Sequence, residues 1–506
     1  MPDWIPRLRD ALVAADYTFD GVSELLGTTA HAALGRNETT PGLRRTNGGT
    51  PLETLTRLWL LQATAPVEAV ERALPRLLDE LCAEGILERS VGEAAARVDL
   101  RPYGTDSGNL WVLGDLTPGL DGGPNRVGPD HVLGISPAAT SLAQLTVRAP
   151  FRTALDLGTG CGVQSLHLTG HVAKVVATDV NRRALWLAGL NAELNAPSMG
   201  HGGIDLREGS FFEPVAGEQL DLVVTNPPFV ISSATAARLV YRDSGLPGDR
   251  VVEHIVRTVP EHLPDGGTCQ VLANWMILRD QPWEERLAGW LHPSTGSGQA
   301  MDAWVVQREV ADLPSYVELW LKDAGLHPST GPAQAADYRE RYDAWLSWFD
   351  EQGAVAVGFG WLNLRRTAES PVLRLEEWPW EIAPPLGGEV AAHFARTEQL
   401  RRLDDRALLA VRPRLRADVG QETHGSPGAE DPAEIVLRQQ TGLRRARQVD
   451  TATAALVGAC DGDLDVGQIL DALSQLLDLP PARTRQTYLP VVRELVAEGY
   501  LEAPAI

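Results

Sequence analysis

Apolar residues return at helical spacing over residues 5–15, 51–63 and 67–84, and Pro75 is set to break or restart the third run. That run stops at Gly85, a residue suited to a left-handed helix cap, and the short apolar pair Ile86-Leu87 follows. The same signature returns near the other end. Glu80-Leu81-Cys82-Ala83-Glu84-Gly85-Ile86-Leu87-Glu88 matches Glu494-Leu495-Val496-Ala497-Glu498-Gly499-Tyr500-Leu501-Glu502, each preceded by a Leu-rich helical stretch. Helix, glycine cap and strand is how a winged-helix unit passes from its third helix to its wing. Between the two copies the period changes. Short apolar or β-branched runs at 153–157, 174–179, 203–207, 221–225, 268–273, 303–307 and 354–362 are mostly separated by helical patterns. Seven strands in this α/β order predict a mostly parallel, Rossmann-like sheet covered on both faces.

At 506 residues the chain is long enough for three or four units, at about 150 residues each. Residues 1–100 are expected to form an N-terminal helical, winged-helix-like domain, and residues 101–370 the α/β domain with a preceding connector. Residues 371–434 are expected to be a junction and flexible linker, because the stretch between Asp418 and Glu434 is polar and rich in breakers. Residues 435–506 are expected to form the second winged-helix-like domain. Trp378 and Trp380, in Glu377-Trp378-Pro379-Trp380, are placed to pin the junction.

Charge changes the picture of the partners. The formal charge of −22 disfavours a protein that coats nucleic acid, because that mode needs Lys and Arg against phosphates. Both presumptive third helices carry Glu and Asp where a major-groove reader needs Arg, Asn or Gln, so protein contact or scaffolding is preferred over DNA reading. Arg401, Arg402, Arg412, Arg414, Arg444, Arg445 and Arg447 offer either a local basic face or, the preferred reading, a solvated helix face. No apolar run approaches the roughly 18 residues of a membrane span, and the first residues lack a basic-then-apolar leader, so the expected location is the cytoplasm, away from membranes. The four cysteines are far apart and the 11 histidines show no metal spacing, so no metal is expected and His167 and His171 read as helix-surface residues.

Two motifs carry chemistry. Ala154-Leu155-Asp156-Leu157-Gly158-Thr159-Gly160-Cys161-Gly162 is an apolar strand entering a Gly-rich turn that opens a helix, where backbone can approach a nucleotide-like ligand. Val163 stands where a dinucleotide loop would need glycine, and Asp156 would repel a diphosphate but welcome an ammonium group, so the ligand should carry an amino-acid end. Asp179 ends the second strand, where a carboxylate accepts both ribose hydroxyls. The second motif, Asn226-Pro227-Pro228-Phe229, follows an apolar strand directly. Its prolines fix the backbone so that the Asn226 side-chain oxygen and the Pro227 carbonyl converge on a planar amide or amino nitrogen, while Phe229 stacks on it. Trp275, after the fifth strand, is either a pocket wall or, the preferred reading, a core aromatic.

Leu155 to Gly162, Asp179 and Asn226 to Phe229 together resemble class I methyltransferases of the small-domain group, which includes release-factor glutamine N5-methyltransferases and ribosomal guanine-N2 methyltransferases. The resemblance covers about residues 134–365 and implies S-adenosylmethionine as cofactor and a seven-stranded sheet whose final strand is antiparallel. It implies a cofactor site of Thr140, Asp156, Gly158, Thr159, Gly160, Gly162, Asp179, Val180, Gly209, Ser210 and Asn226, with Pro137 to Leu142 as a lid over the methionine end. Ser210 stands where related enzymes carry an adenine-binding Asp, so this hydroxyl or the neighbouring amides serve instead. Tyr241, Arg242 and Asp243 fall where glutamine methyltransferases carry a Gly-rich acidic loop and are substrate candidates, Arg242 and Asp243 either gating the pocket or contacting substrate, or bracing the loop as a salt bridge. The expected function is methyl transfer to an amide or amino nitrogen of a protein or peptide. The alternatives are an exocyclic amine of an RNA or DNA base, and a catalytically silent scaffold.

Overall fold

The computed structural model describes residues 3–105, 108–123, 127–128, 130–199, 202–228, 230–233, 246–291, 300–326, 331–426 and 432–503. The central sheet is built from β1 (Phe151–Leu157), β2 (Val172–Asp179), β3 (Ile204–Glu208), β4 (Leu222–Thr225), β5 (Thr268–Leu278), β6 (Ala300–Asp312), β7 (Ala354–Thr367) and β8 (Leu373–Glu377). Their order is β8-β6-β7-β5-β4-β1-β2-β3. The pairs from β3 across to β5 are parallel, whereas β7 runs antiparallel to both β5 and β6. This is the arrangement that the resemblance implies, with β7 antiparallel, and all seven strands read from the sequence are in it.

Among the described residues the sheet has eight strands where seven were expected. β8 adds parallel to the outer edge of β6, fastened by the Trp304 indole N–H to Glu376 and by Gln307 Nε2 to Glu377. Its sequence, Leu373-Arg374-Leu375-Glu376-Glu377, has three charged residues in five and is only half-buried, as an edge strand can be, so it lacks the apolar run that marks the others.

Strand order turns around at β1, whose neighbours are β2 on one side and β4 on the other. Leu157 of β1 is level with Thr178 of β2 and with Thr225 of β4. The next residues, Gly158, Asp179 and Asn226, therefore emerge together at the carboxyl ends of the strands, where open α/β sheets hold their ligands. α1 (Val163–Leu168) follows the Gly-rich turn and α2 (Arg182–Leu194) follows β2. Two further helices, α3 (Leu313–Asp323) and α4 (Pro332–Glu351), are inserted between β6 and β7.

Two compact units emerge from the contacts: residues 1–143 with 149–378, and residues 144–148 with 379–506. Within the first unit, Trp4, Leu8, Trp59 and Trp111 share one core with Val163 and Leu166 of α1 and Leu187 and Leu190 of α2. Helices Val67–Ala73 and Leu78–Ala83 are separated around Pro75, and Gly85 adopts φ +72° before strand Leu87–Arg89. That strand pairs with Glu93–Ala96. Helix Phe19–Leu34, kinked at Gly27, and the hairpin of Asp99–Thr105 with Gly108–Gly114 were not anticipated. The hairpin's outer edge is closed by side chains. Asn195 exchanges hydrogen bonds with the Trp111 backbone at 2.9 and 2.7 Å, and Asn191 with that of Leu113 at 2.7 and 2.8 Å.

In the second unit, helix Pro481–Ala497 reaches Gly499 at φ +77° and then strand Leu501–Glu502, which pairs with Arg414–Leu415. Part of the expected linker is ordered sheet: Val419–His424 pairs antiparallel with Glu434–Gln439. Its exposed polar residues read as linker, yet Glu422 meets Arg438 across the pair at 2.7 Å. Residues 427–431 lie outside the described residues. Among the described residues no helix is long and apolar enough to cross a membrane.

Candidate functional site

The Gly-rich turn owes its shape to backbone conformation. Gly158, Gly160 and Gly162 have φ of +72°, +55° and +87°, a region costly to residues with a Cβ. A Cβ added at Gly158 or Gly160 would meet nothing within 4 Å, so the space above the turn is open, whereas at Gly162 it would press on Ala188 at 3.2 Å. The first two glycines leave a cradle, and the third lets α1 pack on α2.

Asp156 lies under this turn, 1% exposed. Its Oδ2 accepts from Thr159 Oγ1 at 2.6 Å, from Ser165 N–H at 2.9 Å and from Ser165 Oγ at 2.7 Å. Burial pushes its carboxyl up to about 6, opposed by these donors. Asp156 thus acts directly on the turn, and any attraction for a cofactor ammonium is exerted from beneath it. Ser165 has no motif of its own in the sequence, and its spacing of nine from Asp156 becomes meaningful only once the turn closes.

Asp179 ends β2 and is tied back to the same turn. Its Oδ2 accepts from Gly160 N–H at 2.9 Å and its Oδ1 from Asn181 N–H at 2.8 Å. Burial raises its carboxyl above the usual range, against those backbone donors. Val180 beside it is 65% exposed, an apolar surface next to a carboxylate. Gly209 N–H donates to the Asp179 carbonyl at 3.1 Å, which brings Ser210 to the same side, and Phe211 follows with φ +46°. Thr140 is half-buried in helix Pro137–Leu145, which is linked to α1 by Gln164 Nε2 donating to the Ala139 carbonyl at 2.6 Å. Thr140, Asp156, Gly158, Thr159, Gly160, Gly162, Asp179, Val180, Gly209 and Ser210 therefore belong to linked segments around the ends of β1, β2 and β3.

Asn226 completes the arrangement from β4. Thr225 Oγ1 donates to the Leu157 carbonyl at 2.7 Å, holding the end of β4 against the start of the Gly-rich turn. Asn226 Oδ1 is buried and has no hydrogen-bond partner among the described residues. Buried acceptors are seldom left so, because the desolvation penalty is then uncompensated. Pro227 is buried and Pro228 exposed. Phe229, Tyr241, Arg242 and Asp243 lie outside the described residues.

Other candidates fall elsewhere. Trp275 is fully buried, its indole N–H donating to Gln307 at 3.1 Å, and Gly358 and Gly360 of β7 leave it room, so it is a core residue. His167 is half-buried against the Tyr103 hydroxyl at 3.1 Å. No group of three or more His, Cys, Asp or Glu among the described residues could hold a metal ion. Of the arginines near the expected linker, Arg401 and Arg402 pair with Glu398, Arg444 with Glu381, and Arg447 with Glu494 and Glu498.

Parts of the chain are similar to known proteins. Residues 135–289 match the methyltransferase small domain family. Residues 14–97 and 391–503 match two domains of unknown function, DUF7059 and DUF7782. The ribosomal protein uL3 glutamine methyltransferase of Bradyrhizobium diazoefficiens is 31% identical over 172 residues, 31% of this chain and 51% of that protein. The release factor glutamine methyltransferase of Xylella fastidiosa is 32% identical over 149 residues, 27% of this chain and 49% of that protein. The chain thus spans about half the length of these relatives. A solved T. thermophilus 16S rRNA N2 methyltransferase in complex with AdoMet and guanosine aligns at 17% identity, over 48% of this chain and 60% of that one, with a TM-score of 0.27.

Proposed function

We propose that this chain, a class I methyltransferase of the small-domain group, methylates a planar amide or amino nitrogen of a protein or peptide. The observation that carries the reading is the Asn226 Oδ1, buried beside the Gly-rich turn with no hydrogen-bond partner among the described residues. The residues present fit S-adenosylmethionine. Gly158 and Gly160 leave an open cradle, Asp179 offers a carboxylate for ribose hydroxyls, and Val180 offers apolar surface for a base.

S-adenosylmethionine supplies an electrophilic methyl group when bound. The chain's own residues do the rest. Asn226 Oδ1 and the Pro227 carbonyl accept the two hydrogens of the acceptor nitrogen, which fixes its plane and aims its lone pair. The methyl group that the cofactor would supply would be taken up by that lone pair, and the nitrogen would give up one of its two hydrogens as a proton to solvent. Positioning and fixed dipoles suffice for this, with no strong base among the groups required. Phe229 is assigned to stack on the acceptor, and Tyr241, Arg242 and Asp243 to border it.

A protein acceptor is favoured over nucleic acid by the relatives' named substrates and by charge: Arg401, Arg402, Arg444 and Arg447, four of the arginines that could meet phosphates, pair with glutamates instead. The N- and C-terminal domains are assigned to recognising that acceptor. The test is to incubate the protein with methyl-labelled S-adenosylmethionine and lysate from a strain lacking it, then digest with protease or nuclease. Label lost to protease supports the proposal. Label lost only to nuclease replaces it with base methylation, and failure to bind S-adenosylmethionine leaves a silent scaffold.

A further inference from the structure

The chain just beyond Asn226-Pro227-Pro228 is held from both sides by the helices inserted between β6 and β7. Ile231 N–H donates to the Tyr316 hydroxyl at 2.8 Å, and the Ile231 carbonyl accepts from Trp345 Nε1 at 2.9 Å. Tyr316 belongs to α3 and Trp345 to α4, and both are buried, as is Ile231. The Tyr316 hydroxyl also accepts from Asn274 Nδ2 at 3.3 Å, and Asn274 lies on β5, the neighbour of β4. One hydroxyl thus joins the segment that follows β4 to the adjacent strand.

The same strand end anchors the chain where it returns. Gly248 N–H donates to the Ser232 carbonyl at 2.9 Å. Asp249 accepts from Met276 N–H on β5 at 2.8 Å and pairs with Arg286 at 2.6 Å. Packing alone does not call for this chemistry. Tyr316 stands edge-on to Trp345 and Phe349, a ring cluster that phenylalanine would fill equally well. What the hydroxyl and the indole N–H add is a fixed place for Ile231. Pro227 and Pro228 stiffen the backbone that follows Asn226, and Ile231 lies a few residues further along the same chain.

We infer that Tyr316 and Trp345 are positioning residues for methyl transfer, setting the Asn226 and Pro227 acceptor pair through the backbone of Ile231. The inference rests on the transferase reading above. Neither residue needs to touch the acceptor. Near-attack geometry is strict enough that a displacement of about 1 Å lowers the rate about 10²-fold.

The test compares Tyr316→Phe with Phe349→Leu, which weakens the same ring cluster without removing either hydrogen bond to Ile231. Transfer to the labelled acceptor fraction is measured together with KM for S-adenosylmethionine, and hydrogen exchange is followed in peptides covering 226–233 and 156–165. In Tyr316→Phe, kcat falls at least fivefold and exchange over 226–233 accelerates at least fivefold, while the cofactor KM and exchange over 156–165 stay within threefold. In Phe349→Leu the melting temperature falls but kcat does not follow. If Tyr316→Phe keeps more than a fifth of wild-type turnover, or if Phe349→Leu loses as much, the inference alone is overturned. If the wild type labels nothing, the transferase reading falls and takes the inference with it.

Discussion

The two halves of the site are built in opposite ways. On the side of β1 and β2, polar groups answer one another: Asp156 takes Thr159 and Ser165, and Asp179 takes the amides of Gly160 and Asn181. On the side of β4, Asn226 Oδ1 is buried with no partner among the described residues. A ligand recognised by every member of a family can be met by a turn that stabilises itself. A reacting nitrogen that must be held by two acceptors needs those acceptors left unsatisfied until it arrives.

The sharpest way to break this comparison is Asn226→Ala. Turnover should fall by about 10²–10³-fold, as when one preorganised polar partner is removed from a transition state, while cofactor affinity stays within a few fold. Calorimetry showing lost cofactor binding instead would move Asn226 to the other half. Asp156→Ala should act on folding first. It strips Thr159 and Ser165 of a buried charged acceptor, and chemical denaturation should show a loss of about 2–4 kcal/mol. Asp179→Ala should weaken cofactor binding by about 1–3 kcal/mol through lost ribose hydrogen bonds. Unchanged affinity would remove it from the site.

The smallest expected effect is on pH. Burial holds the Asp156 carboxyl up to about 6, so its charged form dominates above that pH and its neutral form below. A cofactor carrying an ammonium favours the charged form, so affinity should be flat at higher pH and fall as pH drops through 6, by at most about tenfold per unit. The sign for stability is the reverse. A carboxyl whose folded pKa is raised favours the folded state most below its unfolded pKa, and that contribution is lost as pH rises through 6. Asp156→Asn should flatten both profiles. A pH-independent affinity in the wild type would show that Asp156 serves the turn alone.

How far the sequence could be read depends on whether a feature is local. The seven predicted strands and the turn at Gly158 were visible because periodicity and glycine conformation are properties of consecutive residues. β8 was not, because an edge strand carrying Arg374, Glu376 and Glu377 has the polarity of a loop. Helix Phe19–Leu34 is broken by a non-helical Gly27, which interrupts its pattern. Ser165, Tyr316 and Trp345 could not be singled out, since each matters only for what folding brings against it, in the case of Tyr316 a backbone amide 85 residues away in sequence.

Asn191 has an implication for anyone wishing to transplant this catalytic region. Its single amide donates to the Leu113 carbonyl and to the Cys161 carbonyl of the Gly-rich turn, both at 2.8 Å, while its oxygen accepts from Leu113 N–H. Aspartate would keep the acceptor and lose both donors; glutamine would keep the chemistry at the wrong reach. The boundary of a portable methylation cassette therefore cannot be drawn where the family match begins at residue 135, because Asn191, which holds the turn at Cys161, is itself held by Leu113 in a strand left behind at Gly108–Gly114.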